Sequence, residues 1–432
     1  MQTLEPNSSR QSVQRTTLDN GITLIVIENP TADIIAGRLY FKNAGTRVEP
    51  LAQAGISHLL STVITKGTAH LNATEIAEQI ESVGAGLNAE SANDYFALSL
   101  QTVSPDFPEI LQLLGDMIRA PSLPEAEIEL EQALTQQNIL AQKEQPFNLA
   151  FNQLRAQMYP QHPYGVSVLG TEETVARLTR ADLERYHQTY FRPDQLVISL
   201  AGRITLEQAV TEVTRVFGDW QRPTTPLPKP SLPQLIAQPS EKSLHQNTQQ
   251  TIIMLGYLTP SIQEADYPTL KLINTYLGNG LSSRLFVELR EKQGLAYDVS
   301  AFYPTRLEPS HFVTYIGTAP ENVEVALQGL RQEVQRLCEV QLTAEELQAS
   351  KNKLLGQYAL GKQSNGQLAQ LFGWYETLNQ GIEFDDFFQG SVAALSSEQL
   401  QTVAQKYLAI EPYRSLVGSQ SLTVGRSDDF SV

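Results

Sequence analysis

The stretch Leu178-Thr-Arg-Ala-Asp-Leu-Glu-Arg-Tyr-His-Gln-Thr-Tyr190 is repeated later in the chain as Leu395-Ser-Ser-Glu-Gln-Leu-Gln-Thr-Val-Ala-Gln-Lys-Tyr407. The two copies lie 217 residues apart, about half the length of the 432-residue chain. Two shorter matches lie earlier in each half, in the same order and at similar offsets, and they pair 104–111 with 319–326 and 123–128 with 342–347. Three ordered matches at nearly one offset predict that the chain consists of two homologous halves.

A proline-rich segment separates the two halves. Residues 221–233 contain five prolines. Because proline lacks a backbone N–H and fixes φ, such a segment cannot continue a helix or a central strand and favours an extended conformation. We therefore predict an N-terminal domain over 1–220, a linker over 221–240 and a C-terminal domain over 241–432.

Strand signals dominate the beginning of the N-terminal half. Asp19-Asn-Gly21 is a turn signal and predicts a hairpin before the strand 22–27. The segments 34–41 and 95–100 are rich in aliphatic and aromatic residues, which is typical of strands.

Helix signals follow these strands. Asn72 and Glu75 have the spacing of a capping box, which predicts a helix from Ala73. Ser104-Pro105 predicts another helix start, with Ser104 as its cap. Runs of strands and runs of helices favour an α+β fold, in which each half has a mostly antiparallel sheet covered by helices.

Composition and charge exclude several functions. Asp and Glu number 47 against 31 Lys and Arg, and the net charge of −16 argues against nonspecific binding to nucleic acid or anionic membranes. The acidic balance fits either a solvated surface or a chamber that attracts basic peptides. Without an apolar run of about 18 residues or an N-terminal signal peptide, we expect no membrane span and a cytoplasmic location. Cys338 is the only cysteine, so the chain has no intramolecular disulfide and no CxxC metal site.

A second informative stretch reads Gly55-Ile-Ser-His58-Leu-Leu-Ser61-Thr62-Val-Ile-Thr-Lys66-Gly67-Thr68. A helix with the pattern His-x-x-Glu-His presents two imidazoles on one face to hold a metal, and its carboxylate activates the metal-bound water. His58 matches the first imidazole, whereas Ser61 stands at the carboxylate position and Thr62 at the position of the second imidazole. The stretch has the frame of a metal-binding helix without most of its working groups.

This frame resembles that of the inverted-zincin peptidases of the pitrilysin and mitochondrial-processing-peptidase type, and the similarity covers nearly the whole chain. It implies the fold of those metallohydrolases and a third zinc ligand, a Glu, on a later helix, here at about 125–144. Asn138 takes that position, 76 residues after Thr62, and a slip of one helical turn would place the equally neutral Gln142 there. Because only one of three ligands remains, we expect this chain to bind no metal or other cofactor at His58, Ser61, Thr62 and Asn138, and we expect the zinc in a partner subunit.

The C-terminal half contains Leu277-Gly-Asn-Gly-Leu-Ser-Ser-Arg284-Leu-Phe-Val-Glu-Leu-Arg-Glu-Lys-Gln-Gly-Leu-Ala-Tyr297. This string is similar to the family pattern Gly-x-x-Ser-Ser-Arg-Leu … Arg-Glu-x-x-Gly-Leu-Ala-Tyr. The resemblance implies that Arg284 and Tyr297 reach the zinc site of a neighbouring half, where they bind the substrate backbone and stabilise the developing oxyanion. A guanidinium and a phenol are suited to this role because both donate well-directed hydrogen bonds.

A purely structural interpretation of the same string is also open. Ser282-Ser283 would cap a helix, and Gly294 would end it. In this interpretation Arg284 is a surface charge and Tyr297 is a strand residue. The apolar face of the helix would consist of Leu285, Phe286 and Leu289.

The chain keeps the donor string and lacks the metal ligands, as in the non-catalytic subunit of a two-subunit bacterial member of this family. We therefore predict a chain that is inactive alone and supplies Arg284 and Tyr297 to a paralogous zinc-bearing subunit, with which it encloses peptides in a chamber. In isolation it could form a homodimer instead. The alternatives are a structural scaffold similar to the core subunits of respiratory complexes and a peptide-binding module without hydrolysis. The intact string favours the first hypothesis, because a scaffold does not need it.

Overall fold

The computed structural model describes residues 12–419. Strands and helices alternate in runs along this part of the chain, as the sequence predicts. The strands are β1 (Val13–Thr17), β2 (Thr23–Glu28), β3 (Ile34–Lys42), β4 (Gly86–Ser91), β5 (Tyr95–Val103), β6 (Leu196–Gly202), β7 (Glu241–His245), β8 (Thr251–Thr259), β9 (Asp298–Phe302), β10 (Ser310–Thr318) and β11 (Tyr413–Gly418).

The remaining regular structure is helical, and one segment, Phe286–Lys292, is a π-helix. No helix within residues 12–419 is both long and apolar enough to cross a membrane. The α-helices are α1 (Ile56–Val63), α2 (Ala73–Ser82), α3 (Phe107–Arg119), α4 (Glu125–Lys143), α5 (Pro146–Met158), α6 (Glu172–Arg177), α7 (Arg180–Tyr190), α8 (Leu206–Phe217), α9 (Tyr267–Gly278), α10 (Val323–Glu339), α11 (Ala344–Leu360), α12 (Asn365–Thr377), α13 (Phe384–Ala394) and α14 (Ser397–Leu408).

The strands form two sheets with the same topology. The first has the order β1-β2-β6-β3-β5-β4, and the second has the order β7-β11-β8-β10-β9. Among the described strands, one pair in each sheet is parallel, β2 with β6 and β7 with β11, and the other pairs are antiparallel. From β2 onward the two orders correspond strand by strand, including the parallel pair. This correspondence confirms the α+β class with two homologous halves and mostly antiparallel sheets.

The compact units of the structure combine segments from both halves of the sequence. Unit 1 contains residues 12–139, 166–232 and 356–389, and unit 2 contains residues 140–165, 233–355 and 390–419. Residues 221–240 contain no helix or strand. The boundaries 1–220, 221–240 and 241–432 describe the repeat in the sequence, and as domain boundaries they remain a prediction. They differ from the compact units because each half contributes a segment to the other half's unit.

The two exchanged segments contain equivalent helices. Helix α12, from the C-terminal half, packs on β3 and β6 of unit 1, and α5, from the N-terminal half, packs on β8 and β11 of unit 2. Glycines permit close approach in both places. A Cβ at Gly373 of α12 would lie 2.7 Å from a ring carbon of Tyr40, and one at Gly256 of β8 would lie 2.7 Å from Met158 Sδ. Each exchanged helix is therefore a tightly packed part of its unit.

Two local predictions about helix starts had different outcomes. The capping box is confirmed, because Asn72 Oδ1 accepts from the N–H of Glu75 and the Glu75 carboxylate accepts from the N–H of Asn72. The cap at Ser104 is wrong. The Ser104 N–H donates to Asp33 O at 3.2 Å, which extends the strand pairing, so a 3-10 turn intervenes and α3 begins only at Phe107.

Candidate functional site

Helix α1 begins at a buried carboxylate. Gly55 precedes the helix with φ at +96°, a conformation that glycine adopts without strain. Glu49 accepts hydrogen bonds from the N–H groups of Gly55 at 2.9 Å and Ser57 at 2.8 Å, and also from the Ser57 hydroxyl. Burial raises the pKa of Glu49, and these donors partly offset that effect. Glu49 thus satisfies donors that the first turn of a helix otherwise leaves unpaired.

The three motif positions on α1, His58, Ser61 and Thr62, are polar, but the hydroxyls of Ser61 and Thr62 form hydrogen bonds within the helix. Ser61 Oγ donates to His58 O at 2.7 Å, and Thr62 Oγ1 donates to Leu59 O at 2.9 Å. The His58 ring is partly buried, and burial lowers its pKa. The hydroxyl protons of Ser61 and Thr62 are therefore already bound to carbonyls of the preceding turn.

The fourth predicted position, Asn138, lies on the exposed side of α4. Glu131, one of the acidic residues on the same helix, lies 3.6 Å from Lys66 Nζ and pairs with it. No group of three or more His, Cys, Asp or Glu side chains suited to a metal occurs within residues 12–419. One imidazole with two hydroxyls and an amide does not fit zinc, which takes imidazole, thiolate and carboxylate ligands.

The donor string of the C-terminal half forms a helix that ends where the structural interpretation expected. Gly294 has φ at +64°, and its N–H donates to Arg290 O at 3.1 Å. The serine cap is wrong, because the helix Phe286–Lys292 has no side-chain cap and Ser283 Oγ is buried without a hydrogen-bond partner within residues 12–419. The helix is a π-helix. This type is rare in proteins, and where it occurs it often lies at a functional site.

Arg284 is held by two carboxylates of its own unit. Its Nε lies 2.7 Å from Glu333 Oε2 on α10, and its Nη1 lies 3.0 Å from Glu288 Oε1 on the π-helix. The side chain is 23% exposed. These ion pairs fasten the π-helix to α10 and occupy the Nε and Nη1 donors of Arg284.

Tyr297 is an exposed donor beside the edge strand β9. Its side chain is 60% exposed, and its backbone N–H donates to Gly317 O at 2.8 Å, which fixes the backbone at that point. The Tyr297 hydroxyl makes no hydrogen bond with the described part of the chain. The phenol is therefore free to donate to a ligand.

Arg290 is a second exposed donor in the same string, and the family pattern does not point to it. The guanidinium lies over the Phe286 ring, with Cζ 4.9 Å from the ring centroid, and it forms no ion pair with residues 12–419. The sequence contains a signal for this difference. Arg284 has Glu288 four residues later, a spacing that favours pairing on a helix, whereas Arg290 has Gly294 at that distance.

Sequence models of one peptidase family match most of the chain. Residues 23–172 match the model described as Insulinase (Peptidase family M16), and residues 177–354 match the model described as Peptidase M16 inactive domain. The chain therefore belongs to peptidase family M16, which confirms the resemblance to pitrilysin-type peptidases.

Two bacterial relatives are similar over most of their length, and both are named uncharacterized zinc proteases. The protein of Streptomyces coelicolor is 27% identical over 415 residues, which covers 94% of this chain and 90% of the relative. The protein of Bacillus subtilis is 28% identical over 379 residues, which covers 86% of this chain and 91% of the relative.

Two crystal structures have the same fold. A peptidase M16 inactive domain from Pseudomonas fluorescens superposes with a TM-score of 0.87 at 22% identity, and covers 94% of this chain and 98% of that one. A protease from Helicobacter pylori superposes with a TM-score of 0.88 at 21% identity, and covers 94% and 99%. These likenesses support the fold assignment.

Proposed function

We propose that this chain is the non-catalytic subunit of a heterodimeric M16 zinc peptidase. A paralogous subunit with an intact His-x-x-Glu-His motif would hold the zinc, and this chain would add hydrogen-bond donors to that subunit's site. One observation carries the proposal. The hydroxyls of Ser61 and Thr62 are bound within helix α1, whereas the hydroxyl of Tyr297 is exposed and unbound within the described chain.

The proposal assigns the donor role to Tyr297 together with a guanidinium of the same string. Arg284 is the guanidinium that the resemblance implies, but its Nη1 and Nε are already paired with Glu288 and Glu333. Within residues 12–419, Arg290 has no such partners, and it is exposed. We therefore infer that Arg290 acts with Tyr297 and that Arg284 positions the π-helix that carries Arg290.

The two donors would act on the peptide backbone. During hydrolysis the scissile carbonyl oxygen gains negative charge, and a donor directed at that oxygen is worth about 2.7–4 kcal/mol in related acyl chemistry. The remaining surface would help to enclose peptides, and the net charge of −16 favours basic ones. In this arrangement, the chain contributes to turnover without binding the metal.

The test compares the purified chain alone with its mixture with a paralogue from the same genome that retains the metal motif. Zinc content is measured by atomic emission, and hydrolysis is measured with an unstructured fluorogenic peptide. We expect neither zinc nor activity from the chain alone, and turnover from the mixture. As a control, a partner with its motif Glu replaced by Gln should assemble with this chain and remain inactive.

Other outcomes would contradict the proposal. Stoichiometric zinc with chelator-sensitive activity from the chain alone would mean that it is itself a metallopeptidase. A stable mixture whose turnover equals that of the partner alone would favour a scaffold. Binding of peptides by the chain alone, without any hydrolysis in the mixture, would favour the peptide-binding module.

A further inference from the structure

Unit 2 contains a cluster of basic side chains where the exchanged helix α5 packs on its sheet. Arg155 lies on α5, Arg306 lies in the segment between β9 and β10, and His311 lies on β10. The two arginines are half-buried, and His311 is only 4% exposed. Basic groups in such positions normally have a carboxylate partner, because burial of an unpaired charge is costly.

Arg155 and His311 of this cluster contact aromatic side chains. Arg155 Cζ lies 5.5 Å from the centroid of the Phe151 ring, and the Phe151 ring lies 5.6 Å from that of His311. Tyr159 Oη lies 2.9 Å from His311 Nδ1. Either tautomer of His311 leaves Nε2 buried without a hydrogen-bond partner within residues 12–419.

The second arginine is attached to the same aromatic frame. The Tyr164 ring lies 5.7 Å from the Tyr159 ring, and Arg306 Cζ lies 5.5 Å from the Tyr164 centroid. Arg306 Nη1 donates to Thr305 O at 3.1 Å, while its Nε is buried without a partner in the described chain. The guanidinium is thus positioned by stacking and one carbonyl, and no carboxylate of the described residues contacts it.

The positive charges in this cluster are not compensated within residues 12–419. Neither Arg155 nor Arg306 forms an ion pair there, and the Nε atoms of both are buried without a hydrogen bond. Burial and the charge of Arg306 lower the pKa of Arg155 to about 10 and that of the nearby Lys271 to about 8. Burial, followed by the charges of Arg306 and Arg155, holds the pKa of His311 well below its usual value. The like charges are therefore close enough to repel one another.

Unit 1, by contrast, neutralises two cations at its exchanged helix with a carboxylate of its own. Exchanged helix α12 carries the buried Glu376, whose Oε1 lies 2.8 Å from Arg15 Nη2 and 3.7 Å from Lys42 Nζ. Two cations of the first sheet thus share one carboxylate of the helix. In unit 2 the cations are present, and the described chain provides no carboxylate in contact with Arg155 or Arg306.

We propose that the basic cluster of unit 2 binds a phosphate-type dianion, either inorganic phosphate or the phosphate group of a small molecule, through Arg155 and Arg306. Two guanidinium charges require two negative charges, and the planar fork of a guanidinium matches the oxygens of a phosphate. The bound dianion would connect α5 to the segment before β10, and so fasten the exchanged helix to unit 2.

The experiment uses the full chain in phosphate-free buffer. Isothermal titration and thermal unfolding are followed with sodium phosphate, with sodium triphosphate and with sodium acetate, each at an ionic strength matched with sodium chloride. We expect saturable phosphate binding and a higher melting temperature with phosphate, and no saturable effect of acetate. Tighter binding of triphosphate than of phosphate would identify a phosphorylated small molecule as the natural source.

Arginine variants distinguish a site from a general salt effect. Arg155→Gln and Arg306→Gln should each weaken phosphate binding about tenfold or more, since each removes a charge-assisted hydrogen bond. Without phosphate, Arg155→Gln should melt no lower than the parent chain, because it removes an uncompensated charge. The control, Arg177→Gln, changes an exposed arginine that is paired with Glu173, and it should bind phosphate like the parent.

The proposal is overturned if phosphate and chloride have the same effect at equal ionic strength, or if both cluster variants bind phosphate like the parent. Saturable binding of acetate in place of phosphate would also overturn it, since that result would indicate a single carboxylate as the ligand. None of these readouts depends on peptidase activity or on a partner subunit.

Discussion

Helix α1 and the segment 284–297 both derive from motifs that carry polar groups in this family, but they use those groups differently. On α1, the hydroxyls of Ser61 and Thr62 bond to carbonyls of the same helix. In the segment 284–297, Arg284 is paired internally, whereas Arg290 and Tyr297 are exposed. The hydroxyls of the first region are used within its own helix, whereas the second region has exposed donors without a hydrogen-bond partner in the described chain.

Under the proposed function, this difference means that a chain can lose its metal ligands and still keep donors for a substrate. A hydroxyl can replace an imidazole in a helix without harm to the fold, because a carbonyl of the preceding turn accepts its proton. An exposed donor such as Tyr297 stabilises nothing inside the described chain, so its value depends on what it binds.

The largest effect is expected at the exposed donors. In the mixture with the zinc-bearing partner, Tyr297→Phe and Arg290→Ala should each lower kcat about 100-fold or more, because each removes a donor that is worth about 2.7–4 kcal/mol in the transition state. Steady-state hydrolysis of a fluorogenic peptide measures this effect. Glu291→Gln, an exposed change in the same string, is the control. Turnover unchanged in both donor variants would mean that the string does not act on the substrate.

The next largest effect concerns stability and lies at the start of α1. Glu49→Ala leaves the N–H groups of Gly55 and Ser57 and the Ser57 hydroxyl without their acceptor in a buried place. We expect a loss of about 3 kcal/mol in the free energy of unfolding, measured by urea titration. The exposed Glu129→Ala is the control. A loss similar to that of the control would show that water replaces the carboxylate.

The same carboxyl group should make stability depend on pH. Burial raises the pKa of Glu49 above its usual value of 4.5, so the folded chain favours the protonated form. The stabilising contribution is fully present below pH 4.5 and is lost as pH rises through the folded pKa. The side chain in Glu49→Gln stays neutral at every pH, so this variant does not lose that contribution. Its free energy of unfolding, relative to that of the parent, should therefore increase as pH rises from about 4.5 to neutrality. Urea titrations at several pH values measure this difference, and a change in the opposite direction would contradict it.

The sequence predicts the architecture well where a pattern is compatible with one structure only. The repeat at 178–190 and 395–407 predicted two equivalent halves, and the structure contains two sheets of one topology. The sequence could not reveal the exchange of α5 and α12. A periodic pattern shows which face of a helix is buried, but not which of two similar sheets covers it.

The candidate site was predictable only in part for a similar reason. The string 277–297 indicates hydrogen-bond donors, and the family pattern points to Arg284 as the guanidinium donor. Which arginine is free depends on Glu333, which lies 49 residues away in the sequence and contacts Arg284 Nε. Tertiary pairing of this kind has no local signal, although the spacing of Arg284 and Glu288 was a partial one.

A smaller effect is expected at Arg284, and it separates positioning from donation. Arg284→Gln leaves Glu288 and Glu333 near each other and partly buried, at 15% and 13% exposure. We expect a loss of about 1–2 kcal/mol in the free energy of unfolding. The fall in kcat should be smaller than for Arg290→Ala and should be partly restored by Arg284→Lys, which keeps one ion pair. A fall as large as that of Tyr297→Phe, without a loss of stability, would identify Arg284 as the donor.

The smallest effect is expected on α1 itself. Ser61→Ala and Thr62→Val remove hydroxyls that donate to His58 O and Leu59 O, and these carbonyls lie in a helix whose backbone bonds remain. The free energy of unfolding should therefore change by no more than about 0.5 kcal/mol for each variant, as for substitutions away from buried networks. Zinc content and the turnover of the mixture should be the same as for the parent. If either variant lowered turnover as Tyr297→Phe does, α1 would contribute to the substrate site, and the separation between a self-contained helix and an exposed donor segment would fail.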